Sequence, residues 1–161
     1  NNPTDTAELA PMITRAEQAA VVINQERAEP ETTGTVLADA GYCSEDNLTP
    51  AEGPQVFDRL IATGKSRDLQ RDATTNPASG PPPQDATAAE SMRHRLRTPA
   101  GAALYKKRGA TVEPVNGHLK DRNRLRQFSM RGLTHCLGEL TLTATAHNLH
   151  RLFTTTQPQT V

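Results

Sequence analysis

The sequence predicts an α/β fold whose C-terminal half is mostly helical, and three observations carry that prediction. Thr35-Val36-Leu37-Ala38 is a short, apolar, β-favouring run, and Phe57 to Ala62 is a second. From Thr87 onward the apolar residues return instead at three- and four-residue steps, the period of helices. Only 35% of the 161 residues are hydrophobic and 3% aromatic, with no Trp, so the core is modest and carries long polar excursions. The chain divides on this basis into a partial α/β core over residues 1–65, a flexible linker or insertion over 66–86, and a basic helical part over 87–161.

Asn1-Asn2-Pro3 reads as a loop. Asp5 followed by Glu8 has the spacing of a capping box, and Leu9, Met12, Ile13 and Ala20 supply a helical stripe through about Gln25. Ala28 to Gly34 is a polar connection into the first strand. Asp39 stands at the C-terminal end of that strand, with Gly41 supplying a turn. Ligands of open α/β sheets collect outside the carboxyl ends of the strands, which suits an acid there to chemistry. The plainer reading is that Asp39 caps the turn. Ser44 starts a short helix, and Thr49-Pro50-Ala51-Glu52 forms another capping box. The second strand follows. Gly64 to Thr87 is the stretch least marked by regular structure, because Asn76 to Asp85 is rich in turn formers.

Thr87 and Glu90 cap a basic helix carrying Met92, Arg93, Arg95, Leu96 and Arg97, and Thr98-Pro99 opens the next. Pro114 follows Glu113 directly, lacks an amide donor and crowds its neighbour, so a kink or helix restart is expected at Glu113. Arg131-Gly132 breaks the run. Leu133, Leu137, Leu140 and Ala144, with Leu142, Ala146, Leu149 and Phe153, draw two stripes on a closing helix, and the tail from Thr154 is expected to fray.

A net charge of zero conceals a separation of sign. Residues 1–60 hold eleven acids against Arg15, Arg27 and Arg59, a balance of −8. Residues 91–131 hold eleven Lys and Arg against Glu113 and Asp121, a balance of +9. A segregated basic block points to a polyanion partner. Cys43 and Cys136 have neither zinc spacing nor the look of a disulfide framework, which fits a reducing cytosol. No apolar run reaches membrane-spanning length. His147 and His150 lie one helical turn apart without a third metal ligand in a recognisable position. No P-loop, dinucleotide fingerprint or nucleophile signature is present.

Tyr105 to Lys120, YKKRGATVEPVNGHLK, places one carboxylate among cations. As helix, Lys106, Ala110, Glu113, Gly117 and Lys120 share a face, and Val112, Val115 and Leu119 form a neighbouring stripe. A lone acid on a basic face suits a site that holds a divalent metal beside a phosphate backbone. A solvated basic helix whose glutamate pairs with lysines is the plainer account of this segment.

Two separated stretches, LADAGYCSEDNL (Leu37–Leu48) and MRHRLRTPAGAALYKKRGATVEPVNGHLKDRNRLRQFSMRGL (Met92–Leu133), closed by ATAHNLHRLF (Ala144–Phe153), resemble the C-terminal catalytic half of bacterial insertion-sequence transposases of the DDE type. The resemblance implies a ribonuclease-H-like α/β fold, a mixed sheet flanked by helices, and three acids binding two Mg²⁺ or Mn²⁺ ions. It makes Asp39 the second acid and Glu113 the third, both catalytic and both metal ligands. The family's Tyr, Arg, Glu, Lys signature spaces these residues by two, three and six. Here Tyr105 and Arg108 keep the first gap and Glu113 and Lys120 the last, but four residues separate Arg108 from Glu113. Asn116 stands where many relatives carry a bulky aromatic.

By that resemblance Tyr105, Arg108 and Lys120, with Arg122, Arg124 and Arg126, contact DNA, both transposon ends and target, in a cytoplasmic, nucleoid-associated protein acting as a homodimer. The family's first acid corresponds to a strand preceding Asn1, so the fold is expected to be incomplete at its N-terminus and the chain inactive alone. The alternative is a catalytically dead remnant that binds DNA through Arg93–Arg131.

Overall fold

The computed structural model describes residues 5–25, 27–30, 34–49 and 57–156, the side chains of 155 and 156 excepted. The chain forms two compact units, Asn1–Arg108 and Gly109–Val161.

In the first unit a 3₁₀ turn at Asp5–Glu8 leads into α1, Leu9–Gln25. Strands β1 (Thr35–Ala38) and β2 (Asp58–Ile61) pair in parallel, with Leu37 opposite Leu60 and Ala38 opposite Ile61. A parallel pair needs a crossover connection, and part of it is a 3₁₀ turn at Ala40–Tyr42 and the short α2, Glu45–Leu48. Side chains of a strand alternate between faces, and the two cores follow that alternation. Ala38 and Ile61 pack with Leu9, Ile13 and Phe57 on one face. Leu60 and Ala62 pack with Leu69, Leu96 and Tyr105 on the other, with Leu37 against them. Helices therefore cover both faces of the little sheet, the arrangement that parallel strands require.

The second face is built by three helices: α3, Ser66–Thr75; α4, Ala88–Arg97; and α5, Pro99–Gly117, which runs on into the second unit. Helix α3 corrects the expectation of a flexible linker over residues 66–86. Its Leu69 is buried against Leu60 and Leu96, a single anchor too sparse to show as a stripe in the sequence. The turn-rich stretch that follows is also tied down, because Ala78 is buried and donates its N–H to the Arg97 carbonyl at 3.1 Å.

Helix α4 opens with the expected capping box: the Glu90 N–H bonds the Thr87 hydroxyl and the Thr87 N–H bonds the Glu90 carboxylate. Arg95 then clamps α4 to the sheet. Its guanidinium donates to both carboxylate oxygens of Asp58 and to the Arg59 carbonyl, while Thr35 of β1 donates to the same carboxylate at 3.0 Å. These bonds to Arg95 hold the Asp58 carboxyl below its ordinary 3.8. A carboxyl lowered on folding stabilises the fold above its unfolded pKa, and that contribution is lost as pH falls through the lower, folded value. Asp58→Asn is therefore expected to cost about 1 kcal/mol at pH 7, the upper end for a half-exposed pair. The cost should shrink as pH falls below the ordinary carboxylate range. Urea denaturation of both proteins across pH measures this.

In the second unit α5 continues through Pro114 without the restart expected at Glu113. A proline removes one N–H bond from a helix and crowds one carbonyl, and here the helix absorbs both. The change of winding falls a turn later, where His118–Arg122 forms a π turn closed by the Asn123 N–H on the His118 carbonyl at 3.0 Å. Gly132 takes φ +87° and ends the loop. Helix α6 follows from Leu133 to Thr156, so residues 154–156 are helical where a frayed tail was expected, and residues 157–161 lie outside the described residues. The carboxylate of Glu139 on α6 holds the preceding loop by accepting from the Ser129 N–H and hydroxyl. The expected apolar stripes of α6 stay largely uncovered, with Leu133, Leu142 and Phe153 each more than 60% exposed. The loop at Asn1–Pro3, the capping box from Pro50 to Glu52 and part of the Ala28–Gly34 connection lie outside the described residues.

Candidate active site

Asp39 follows β1 directly, so its carboxylate leaves the sheet at the strand's carboxyl end. One oxygen, Oδ1, accepts the Gly41 N–H at 2.9 Å and caps the 3₁₀ turn. The other, Oδ2, accepts from Arg108 Nη2 at 2.9 Å. The sequence offered a cap and a chemical role as rival readings of Asp39; the cap is present, and it leaves the second oxygen facing a guanidinium. A Cβ added at Gly41 would sit 3.1 Å from Asp39 Oδ1, so the glycine keeps that carboxylate in place.

The loop carrying Asp39 is fastened by a residue that sequence reading passed over. Asn47 is 7% exposed, and its side-chain amide donates to the Thr6 and Tyr42 carbonyls, both at 2.8 Å. It ties the 3₁₀ turn before α1 to the turn after β1. Its only mark in the sequence is its place three residues after Ser44, whose hydroxyl accepts its N–H. Burial, and then the carboxylates of Asp5, Asp39 and Glu8, push the Tyr42 hydroxyl above its ordinary 10.0, with Arg108 opposing them. The mouth of β1 is thus acidic, and Arg108 is its counter-charge.

Tyr105 and Arg108 stand three residues apart on α5 and turn to different surroundings. Tyr105 is 7% exposed within the core around Leu60 and Leu96. That burial gives its ring a packing role in place of the phosphate contact expected of it. Arg108 reaches Asp39 with its side chain one-quarter exposed.

Glu113 belongs to the second unit and is exposed. Its carboxylate folds back over Gly109, 3.7 Å from where a Cβ would stand, following the N-terminal lean of helical side chains. Among the described residues it has neither an ion pair nor a hydrogen bond through its side chain, so the lysine-paired glutamate of the plainer reading is not what forms. Lys120, Arg122, Arg124 and Arg126 are exposed in the π turn and the loop after it. Arg124 adopts φ +57°, and Arg126 pairs with Asp121.

Residues 65–153, more than half of the chain, match the family model described as Transposase DDE domain. The chain belongs to the DDE transposase family. No curated protein matches it, and neither does a solved structure. The matched span of this DDE transposase contains Tyr105, Arg108, Glu113, Lys120 and the three arginines after it, and it takes in the whole stretch read as a linker; Asp39 precedes it.

DDE transposases act on DNA and depend on divalent metal ions in general. Asp39 and Glu113 offer the hard oxygen donors such ions take. Among the described residues, however, no group of three or more His, Cys, Asp or Glu is gathered to hold a metal ion. The donor type fits, and the gathering of donors is not there. Among the described residues, no helix is long and apolar enough to cross a membrane.

Proposed function

We propose that this chain supplies part of a ribonuclease-H-like catalytic core that cuts and joins DNA strands during transposition, with Asp39 and Glu113 as two of its metal-binding carboxylates. The observation that supports this most directly is the Asp39–Arg108 pair. It joins the end of β1 to α5 across 69 residues of sequence, so the two stretches that resemble the family meet in space. Asp39 and Glu113 would hold a divalent metal, which would supply activation of an attacking water or 3′-hydroxyl and stabilisation of the leaving oxygen. The chain's own residues supply what surrounds that chemistry. Gly41 and Asn47 hold Asp39 at the strand end. Lys120, Arg122 and Arg124 hold DNA phosphates, and Arg108 joins them once it leaves Asp39. The exposed leucines of α6 give a homodimer an apolar surface on which to form.

A catalytically dead DNA-binding remnant is the second reading, and the same pair favours it, because a guanidinium occupies the carboxylate that metal would take. Manganese separates the two. Under the first reading Mn²⁺ displaces Arg108 and broadens the Gly41 amide resonance, and Asp39→Asn abolishes the broadening. An unaffected Gly41 signal at saturating Mn²⁺ leaves only the remnant.

DNA binding has its own test. Replacing Arg122, Arg124 and Arg126 together by Glu should flatten the slope of log K against log salt by up to about 3, roughly 0.9 for each phosphate no longer neutralised. Arg126 should contribute least, since Asp121 already engages it. Fluorescence anisotropy with a labelled duplex at several salt concentrations reads the slope, and an unchanged slope sinks the basic-segment assignment.

A further inference from the structure

The second unit has a groove of about 240 Å³ where the end of α5, the π turn, the loop after it and α6 come together. Its walls are apolar: Leu119 from the π turn, Leu125 and Phe128 from the loop, and Leu140 from α6. Asn116 and Gln127 line it with side-chain amides, and Lys120 and Arg126 with cations. Among the described residues, no acid lines it, although Asp121 engages Arg126.

A single exposed apolar side chain needs no explanation. Phe128 differs in being held at the surface, 46% exposed, by a loop that is bonded on both sides of it. Before it, the Leu125 N–H donates to the Leu119 carbonyl at 2.9 Å. After it, the Ser129 N–H and hydroxyl donate to the Glu139 carboxylate at 2.9 and 2.8 Å. The aromatic face is therefore fixed before any ligand arrives, which spares the ordering cost of binding. The lining says what that ligand is. An aromatic face between aliphatic walls takes a flat ring, the amides offer donors and acceptors to its edge, and the cations attract a phosphate joined to it. A flat ring with a polar edge and a phosphate is a nucleobase in its strand. The volume lies below the roughly 300–1,000 Å³ of small-molecule pockets, so it takes one base and not a longer stretch. Bases inside a duplex are covered on both faces by their neighbours. Proteins that bind single strands instead stack bases on aromatic side chains in a basic groove.

We infer that Phe128 is the stacking platform for one unpaired base of a bound nucleic-acid strand, with Asn116 and Gln127 at the base edge and Lys120 on the adjoining phosphate. This platform presupposes the phosphate contacts proposed for the basic segment and adds to them the capture of a base.

The full chain is titrated with two labelled strands of equal length, one of thymidines and one an abasic sugar–phosphate strand, and anisotropy is read at several salt concentrations. The wild type should bind the thymidine strand more tightly. Phe128→Leu keeps the apolar bulk and removes the aromatic face, so it should weaken that binding about tenfold, the worth of one stacked base. It should leave the abasic strand unaffected and the salt slope unchanged, because no cation is lost. Phe128→Trp should keep the tight binding. Equal affinity of wild type and Phe128→Leu for the thymidine strand overturns the inference, as does an equal loss on both strands. A dimer that Phe128→Leu dissociates, with strand affinity unchanged, gives the groove to a second copy instead. A wild type without salt-dependent binding of either strand overturns the basic-segment reading as well; one that binds both strands equally overturns the base platform alone.

Discussion

Asp39→Ala and Glu113→Ala are each expected to abolish Mn²⁺-dependent strand cleavage in an active transposase built on this chain, while DNA affinity stays near its starting value. The carboxylates would serve the metal, and a catalytic metal contributes several kcal/mol of transition-state stabilisation. Losing several kcal/mol slows the reaction by about a thousandfold. DNA affinity would come instead from the cations of residues 91–131, none of which is replaced by either substitution. Cleavage of a labelled substrate, followed beside anisotropy on the same preparations, makes the comparison. Cleavage that survives both substitutions would remove these carboxylates from the chemistry. A parallel loss of affinity would point to damage of the fold.

The two substitutions probe residues that are legible in the sequence to different degrees. Asp39 is visible because a short apolar run ends on an acid followed closely by glycine, and that local signal fixes both the strand and the turn. Its pairing with Arg108 is not visible, since no local rule connects residues 69 positions apart. Tyr105 shows the same limit from the other side. Its spacing to Arg108 matches a family signature, yet its burial is set by Leu60, Leu69 and Leu96 arriving from three other elements. Helix starts are legible where side chains cap them, as at Thr87. They are hidden where no side chain does, as at Lys65 ahead of α3. The closing helix shows in its leucine periodicity, but periodicity does not say whether a stripe is covered, and much of this one is not.

Gly101→Ala is expected to cost the first unit about 2 kcal/mol or more, although alanine is the better helix former by about 1 kcal/mol. The reason is a backbone contact. A Cβ at Gly101 would stand 2.0 Å from the Arg95 carbonyl oxygen and 2.9 Å from its carbon. Neither atom is the end of a flexible side chain. The same carbonyl accepts from the Thr98 hydroxyl at 2.7 Å, and that hydroxyl accepts the Gly101 N–H at 3.0 Å, so the α4–α5 turn is bonded on both sides of the intrusion. Relief must come from moving Arg95, whose guanidinium holds Asp58 and the Arg59 carbonyl on β2. The strain would therefore reach the sheet. Overpacking of this kind costs about 1–3 kcal/mol, occasionally more, which exceeds the helix-propensity gain. Gly64→Ala, in the same unit, is the control, because a Cβ there meets nothing within 4 Å and should be neutral or stabilising. Both tyrosines, Tyr42 and Tyr105, lie in the first unit and the chain has no Trp. Tyrosine fluorescence during urea unfolding therefore reports that unit alone. An unshifted midpoint for Gly101→Ala would mean that the α4–α5 turn opens more freely than its hydrogen bonds allow.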